Sequence, residues 1–270
     1  MEVWRITAED VASSAGGWRT RFGQVYGLAP GQALKVVEPP FIPEREQFWD
    51  DTQQQAGGSK TRLAPNRDDF SLGLEWEGDV PRWTYAGGNR TLGYALQSAC
   101  DVNAWEIDES VPRDLKFPGD WVAPHGATAG EKLASLGPIV SKKLGRPVRF
   151  EKRAMPREAV IVRGSYSYSP LWTRRAEDVI EFFDTIPPTR LTPVVNTTPT
   201  SVMWAALQHR LGRRVFDEST GPRPTVKWRD YLYTADTEAL LRNLAKQTNL
   251  VFEREKRVMD VWVMVDDSQR

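Results

Sequence analysis

Two stretches of the chain, residues 91–121 and 201–231, share an order of residues that few unrelated segments share. Each of them is followed by a second matched stretch, residues 131–163 and 237–265. The matches are Ala95-Leu96-Gln97 with Ala206-Leu207-Gln208, Asp108-Glu109-Ser110 with Asp217-Glu218-Ser219, and Phe150-Glu151 with Phe252-Glu253. Because two blocks recur in the same order, the sequence predicts one small unit made twice.

Each copy is expected to contain the same elements: strand, helix, strand, strand, helix, strand, strand. Apolar residues at helical spacing predict helices over about 90–100, 129–144, 200–211 and 235–248. Thr200 or Ser201, and Thr234 or Asp236, are candidate N-caps. Pro138 predicts that the second helix is kinked or begins later. The expected fold class is therefore α+β, with two tandem small units after an irregular N-terminal region.

The two closing strands are expected to differ in burial. Val148 and Phe150 alternate with charged residues, which predicts one solvent-facing side. Residues 258–265 are apolar at seven of eight positions. Such a run predicts a central strand that is covered on both faces.

The first 81 residues follow no single pattern. We expect a helix over about 10–26, extended backbone around the prolines of residues 30–43, and a polar loop over 50–69. Alternation over residues 70–76, followed by residues 81–86, predicts a hairpin with its turn at Gly78-Asp79. The predicted domains are residues 1–81, a first unit at 82–165, a linker at 166–189 and a second unit at 190–270.

The second helix of the second copy carries a family resemblance. Residues 239–252, ALLRNLAKQTNLVF, resemble the helix and hairpin of the N-terminal domains of secretins and TonB-dependent receptors. Asn249 stands where that family usually has Gly, and Asn also tolerates left-handed backbone. The chain also resembles uncharacterised bacterial proteins that repeat such units, through residues 27–46 and 119–122. Some of these proteins are fused to membrane sensor peptidase modules. The resemblance implies an interaction module without catalytic residues.

Composition excludes several classes of site. Lys and Arg total 36 and Asp and Glu total 36, so the zero net charge argues against a globally basic nucleic-acid binder. Cys100 is the single cysteine, which excludes a disulfide framework or a multi-cysteine metal site. The two histidines, His125 and His209, form no ligand pair at short spacing. We therefore predict no catalytic residue, cofactor or metal.

Charge is nevertheless uneven along the chain, and two interpretations stay open. Residues 142–157 are rich in Lys and Arg, and residues 101–120 are rich in Asp and Glu. The two stretches can pair with each other within one unit. Alternatively, the basic segment contacts an anionic partner such as a phosphate backbone, a lipid headgroup or a cell-wall polymer. The candidate contact residues there are Lys142, Lys143, Arg146, Arg149, Lys152 and Arg153.

A second candidate contact lies between the copies, where aromatic residues neighbour arginines. These residues are Tyr166, Tyr168, Trp172, Arg174 and Arg175. They form either an exposed aromatic and cationic surface or an apolar contact that packs the two units together.

The function expected from these features is a non-catalytic binding protein that presents the surfaces of a duplicated unit. Its partner would be another protein, a second copy of itself or an anionic polymer. The alternatives are a hydrolase with a site between the units and a nucleic-acid binder. Without a signal-like N-terminus the expected location is the cytoplasm, or outside it if a leader precedes Met1. No apolar run is long enough for a membrane helix.

Overall fold

The computed structural model describes residues 26–38, 71–77, 80–87, 91–171, 178–184, 195–221, 223–230 and 236–269. The chain has an α+β fold and divides into two compact units. Unit 1 contains residues 1–152 and 262–270, and unit 2 contains residues 153–261. The sequence predicted two strands after the second helix of each copy. The structure has one strand of 16 residues there in each case, Val148–Arg163 and Val251–Asp266, and the division between the units falls within both strands.

Unit 1 is built on a four-stranded sheet. Its strands are β1 (Lys35–Val37), β2 (Ser71–Glu77), β3 (Val80–Gly87) and β4 (Asp120–Pro124), in the order β1-β4-β2-β3. β4 runs antiparallel to β1 and parallel to β2. β2 and β3 form an antiparallel pair, as the alternation predicted.

Two helices of unit 1 follow the predicted bounds. α1 spans Leu92–Ser98, and Thr91 caps its N-terminus. α2 spans Ala129–Leu144 and ends at Gly145, whose φ of +68° is left-handed. Pro138 lies inside α2, so the expectation of a later start is wrong. The reason is local: Thr128 and Glu131 form a capping box that fixes the start of the helix.

The core of unit 1 gathers apolar residues from both helices, β4 and the end of the chain. Leu96, Trp121, Leu133 and Leu136 are almost wholly buried, and Trp262 packs against them. These helix positions are the apolar ones whose spacing predicted the helices. This unit also contains a 3₁₀ turn at Ala104–Glu106 and another at Asp267–Gln269.

Unit 2 contains a three-stranded sheet of order β6-β9-β7. The strands are β6 (Val179–Phe182), β7 (Asn196–Pro199) and β9 (Thr225–Asp230). β9 is parallel to β6 and antiparallel to β7. The side chains of Ile180, Phe182 and Trp228 join the core of this unit.

The two helices of unit 2 are α3 (Thr200–Leu211) and α4 (Thr237–Thr248). Asp236 caps α4, as predicted, by accepting hydrogen bonds from the backbone of Glu238 and Ala239 at 2.9 Å. The predicted cap of α3 is wrong, because Pro199 is its N-cap and Thr200 is already helical. Thr234 lies outside the described residues.

A third sheet has the order β10-β5-β8, with β5 (Val148–Arg163), β8 (Arg214–Asp217) and β10 (Val251–Asp266). β5 is the central strand, and its residues 159–162 are fully buried. β10 lies at an edge, and Val258 is 71% exposed. The prediction that residues 258–265 form a central strand covered on both faces is therefore wrong for residues 258–260. Further along the strand Val261 and Val263 are buried, and Trp262 forms an isolated parallel bridge with Ile107. An apolar run indicates that a segment is buried in a core, but it does not determine how many strands pair with that segment.

Most of the predicted N-terminal features fall outside the described residues. These are the helix before Tyr26, the proline-rich stretch after Glu38 and the polar loop over 50–69. In the described part of the chain no helix is both long and apolar enough to span a bilayer.

Candidate functional site

The C-terminal half of α2 presents two exposed lysines, Lys142 and Lys143, in its last turn. The sequence positions them there because the helix begins at the Thr128 cap and stops at Gly145. Cations in the last turn also interact favourably with the negative end of the helix dipole. Local helix signals therefore determine where both charges stand.

These lysines line a cleft of about 710 Å³ between β1 and α2, here called the β1–α2 cleft. Its lining residues are Val36, Glu38, Pro138, Ile139, Lys142 and Lys143. Val36 and Ile139 pack against the core of unit 1 while staying partly exposed. In the described part of the chain neither lysine has a carboxylate within ion-pair distance. The cleft thus combines an apolar wall with two cations that are open to a ligand.

Other residues of the predicted basic segment are neutralised by neighbours. Arg146 pairs with Asp266 at 2.7 Å, and Arg149 pairs with Asp267 at 2.5 Å and with Glu151. Lys152 lies 6.0 Å from the ring centre of Trp262. The simpler interpretation, pairing with residues 101–120, does not describe these arginines, since their partners are Glu151 and the last residues of the chain. Arg153 has partners of its own in this structure.

The carboxylate of Asp266 accepts three hydrogen bonds. The hydroxyl and the backbone N–H of Ser268 donate to its carboxylate, and Arg146 adds a third hydrogen bond. The hydrogen bonds from Ser268, followed by the one from Arg146, lower the pKa of Asp266 from 3.8 to about 2.

The candidate contact residues between the copies are only partly among the described residues. Tyr166 and Tyr168 are half-buried against the core of unit 2, and the Tyr168 hydroxyl donates to the Val179 carbonyl at 3.3 Å. Burial raises the pKa of Tyr166. Trp172, Arg174 and Arg175 lie outside the described residues, so the second contact surface stays a prediction.

The repeated Asp-Glu-Ser motif forms the same local turn in both places. The Asp108 carboxylate accepts from the backbone N–H of Ser110 at 2.9 Å, and Asp217 accepts from Ser219 at 3.1 Å. This is the Asx geometry that short acidic side chains favour. Both motifs therefore shape a turn.

A buried lysine forms a charged cluster that sequence reasoning missed. Lys132 is 2% exposed, and its ammonium lies 2.5 Å from a carboxylate oxygen of Asp101 and 3.6 Å from one of Glu75. The other oxygen of Glu75 lies 3.2 Å from Nδ1 of His125. Position in the helix gave the only signal, since Lys132 stands beside the apolar face of α2.

This cluster lies at the opposite end of α2 from the cleft lysines. A carboxylate on Nδ1 leaves Nε2 of His125 available for general-base chemistry. However, Lys132 is enclosed by carboxylates, and burial raises the pKa of the Cys100 thiol to about 12. Neither the Lys132 ammonium nor the Cys100 thiol is therefore accessible to a substrate. The described residues also contain no group of three or more His, Cys, Asp or Glu suited to a metal.

No protein family, curated protein or solved structure matches this chain.

Proposed function

We propose that the protein is a non-catalytic binding protein, and that its first unit holds an anionic group of a partner in the β1–α2 cleft. The observation that carries this proposal is the pair Lys142 and Lys143, exposed beside an apolar wall. Among the described residues neither lysine forms an ion pair, so both cations can attract an anion, and the apolar wall adds contact area that does not depend on salt.

The proposal includes a partner that is a macromolecule, either another protein or an anionic polymer. The apolar lining residues Val36, Pro138 and Ile139 are exposed or partly exposed, which suits a chain better than a small enclosed ligand. Because Glu38 lines the same cleft, a polyanion would meet a like charge there. A protein partner is therefore favoured over a nucleic acid.

We further propose that residues 82–165 and 190–270 descend from one duplicated α+β unit, related to the repeated secretin-like units that the sequence resembles. Two local features support this idea. Asp101 and Gly212, which follow matched helices, both have left-handed backbone with φ of +56° and +58°. The Asp-Glu-Ser turns form matched hydrogen bonds.

The proposed function is tested with a photo-crosslinking residue at Pro138, an exposed position in the cleft wall. The crosslinked protein would be identified by mass spectrometry, purified, and titrated against the wild type and K142E/K143E. We expect the double charge reversal to weaken binding at least tenfold, with the wild-type affinity falling as salt is raised.

The matched control is K246E, because Lys246 is an exposed lysine near the end of α4 in unit 2. It should leave the affinity unchanged. If K142E/K143E and K246E bind the purified partner equally well, the cleft is not the binding site and the proposal is wrong.

A further inference from the structure

β1 is an edge strand whose outer side is open in the described part of the chain. It pairs with β4 through Lys35, Val36 and Val37, and β4 is its one neighbour among the described strands. An edge strand presents unpaired N–H and C=O groups, which can take up a further strand. The outer edge of β1 is therefore a template for backbone pairing.

α2 lies beside this edge and is held to the segment that leads into β1. The backbone N–H of Ala33 donates to the Ser135 hydroxyl at 3.0 Å. Val36 of β1 and Glu38, which follows the strand, both line the cleft, and α2 forms its other wall. A strand added to β1 would consequently turn alternate side chains toward α2.

The spacing of the helix side of the cleft matches the spacing of an extended chain. Ile139 and Lys143 are one helical turn apart, which is about 6 Å along the axis. Residues i and i+2 of a strand are separated by about 6.6 Å. One inward side chain would then lie against Ile139 and Pro138 while the next inward side chain reaches Lys142 or Lys143.

We infer that the β1–α2 cleft binds an extended acidic peptide by adding it as a strand to β1, with a branched apolar residue and a carboxylate residue two positions apart. This inference rests on the proposed function and specifies its ligand class. Charge complementarity selects the carboxylate, since Lys142 and Lys143 outnumber Glu38, the acidic residue of the cleft lining. Backbone pairing supplies affinity, and the alternating pockets supply specificity.

The test uses synthetic heptapeptides in which Val, Ile or Leu stands two positions from Glu or Asp, in both orders. Each peptide has a counterpart with Gln or Asn in place of the acid. Binding is followed by amide chemical shifts of the full chain, which also locate the ligand. We expect shifts at residues 35–38 and 139–143, and affinity about two- to fivefold lower for each amide counterpart.

Two matched controls separate strand addition from charge attraction alone. N-methylation of alternate backbone nitrogens removes the N–H groups on one edge of the peptide, so one methylated set should lose binding and the other should retain it. The variant K142E/K143E should prefer peptides that carry Lys in place of the acid, whereas K246E should behave as the wild type.

Several results would overturn the inference. These are acidic peptides that bind no better than their amide counterparts, equal binding of both methylated sets, or a single-stranded oligonucleotide that binds more tightly than every peptide in a lysine-dependent way. If binding of the crosslinked partner still depends on Lys142 and Lys143 while the peptides do not bind, the strand-addition mode is wrong but the proposed function stands. If K142E/K143E changes the binding of neither the partner nor the peptides, the proposed function is wrong as well.

Discussion

Gln247 and Glu181 are joined by two hydrogen bonds between a helix side chain and a strand backbone. The Gln247 amide oxygen accepts from the N–H of Glu181 at 2.8 Å, and its nitrogen donates to the carbonyl of Glu181 at 2.9 Å. Both residues are buried. One side chain of α4 therefore satisfies both backbone polar groups of a residue in β6, as a neighbouring strand would.

Replacing Gln247 by Ala should destabilise unit 2, because two buried backbone groups lose their partners. We expect a loss of about 2 to 4 kcal/mol in the free energy of unfolding, measured by urea denaturation. The control is Q97A, since among the described residues the amide of Gln97 bonds only within its own helix, and the residue is exposed. Equal effects of the two substitutions would contradict this role for Gln247.

Replacing Lys132 by Met should destabilise unit 1, since the carboxylates of Asp101 and Glu75 would lose the cation between them. We expect about 1 to 2 kcal/mol, because Asp101 is well exposed and recovers hydration. D101N/K132M should recover part of that loss, as determined by a double-mutant cycle. K143M, an exposed position, should change stability by less than about 0.5 kcal/mol.

The Cys100 thiol should make stability fall at alkaline pH. Its pKa is about 12 in the folded chain against 9.0 for an ordinary thiol, so the unfolded chain releases the proton first as pH rises. The stabilisation that the protonated thiol provides to the folded chain is fully present below pH 9 and is lost as pH rises toward 12. At pH 10.5 the loss should be about 2 kcal/mol.

C100A serves as the comparison for that measurement, because it removes the thiol but retains every other titrating group. Urea midpoints of both proteins would be compared from neutral pH to pH 10.5. Parallel decreases in the two proteins would show that the thiol does not contribute.

Removing the Ser268 hydroxyl should raise the pKa of Asp266 from about 2 toward its ordinary value of 3.8. S268A removes the side-chain hydrogen bond, the largest cause of the shift, and R146Q should produce a smaller rise. The titration is followed by the carboxyl carbon resonance. Since the folded pKa is depressed, the stabilisation is present above pH 3.8 and is lost as pH falls toward 2.

Two valines of β10 should respond differently to the same substitution. V258T should change stability by less than about 0.5 kcal/mol, because Val258 is 71% exposed. V261T should cost about 1 to 3 kcal/mol, because Val261 is fully buried and the new hydroxyl would need a partner. A large cost at Val258 would instead support the central placement that the sequence predicted.

Local signals made the helices predictable. The bounds of α2 followed from apolar spacing and its closing glycine, and Asp236 was recognisable as a cap because it acts on residues two and three positions away. Lys142 and Lys143 were identified as contact candidates from the run of Lys and Arg over residues 142–157, and the end of α2 places them in solvent.

The parts of the fold and of the candidate site that the sequence did not predict depend on contacts between residues far apart in sequence. The pairing of Arg149 with Asp267 and of Lys132 with Asp101 has no periodic signature, so composition alone left these charges open to other interpretations. The edge position of β10 and the cleft beside β1 likewise depend on which strands become neighbours.

The discontinuity of unit 1 has a consequence for synthesis on the ribosome. Its last segment, residues 262–270, is made after the whole of unit 2, and Trp262 belongs to its core. The unit that starts first must therefore finish last, and a nascent chain paused before Trp262 would hold a complete second unit and a first one still missing a core side chain.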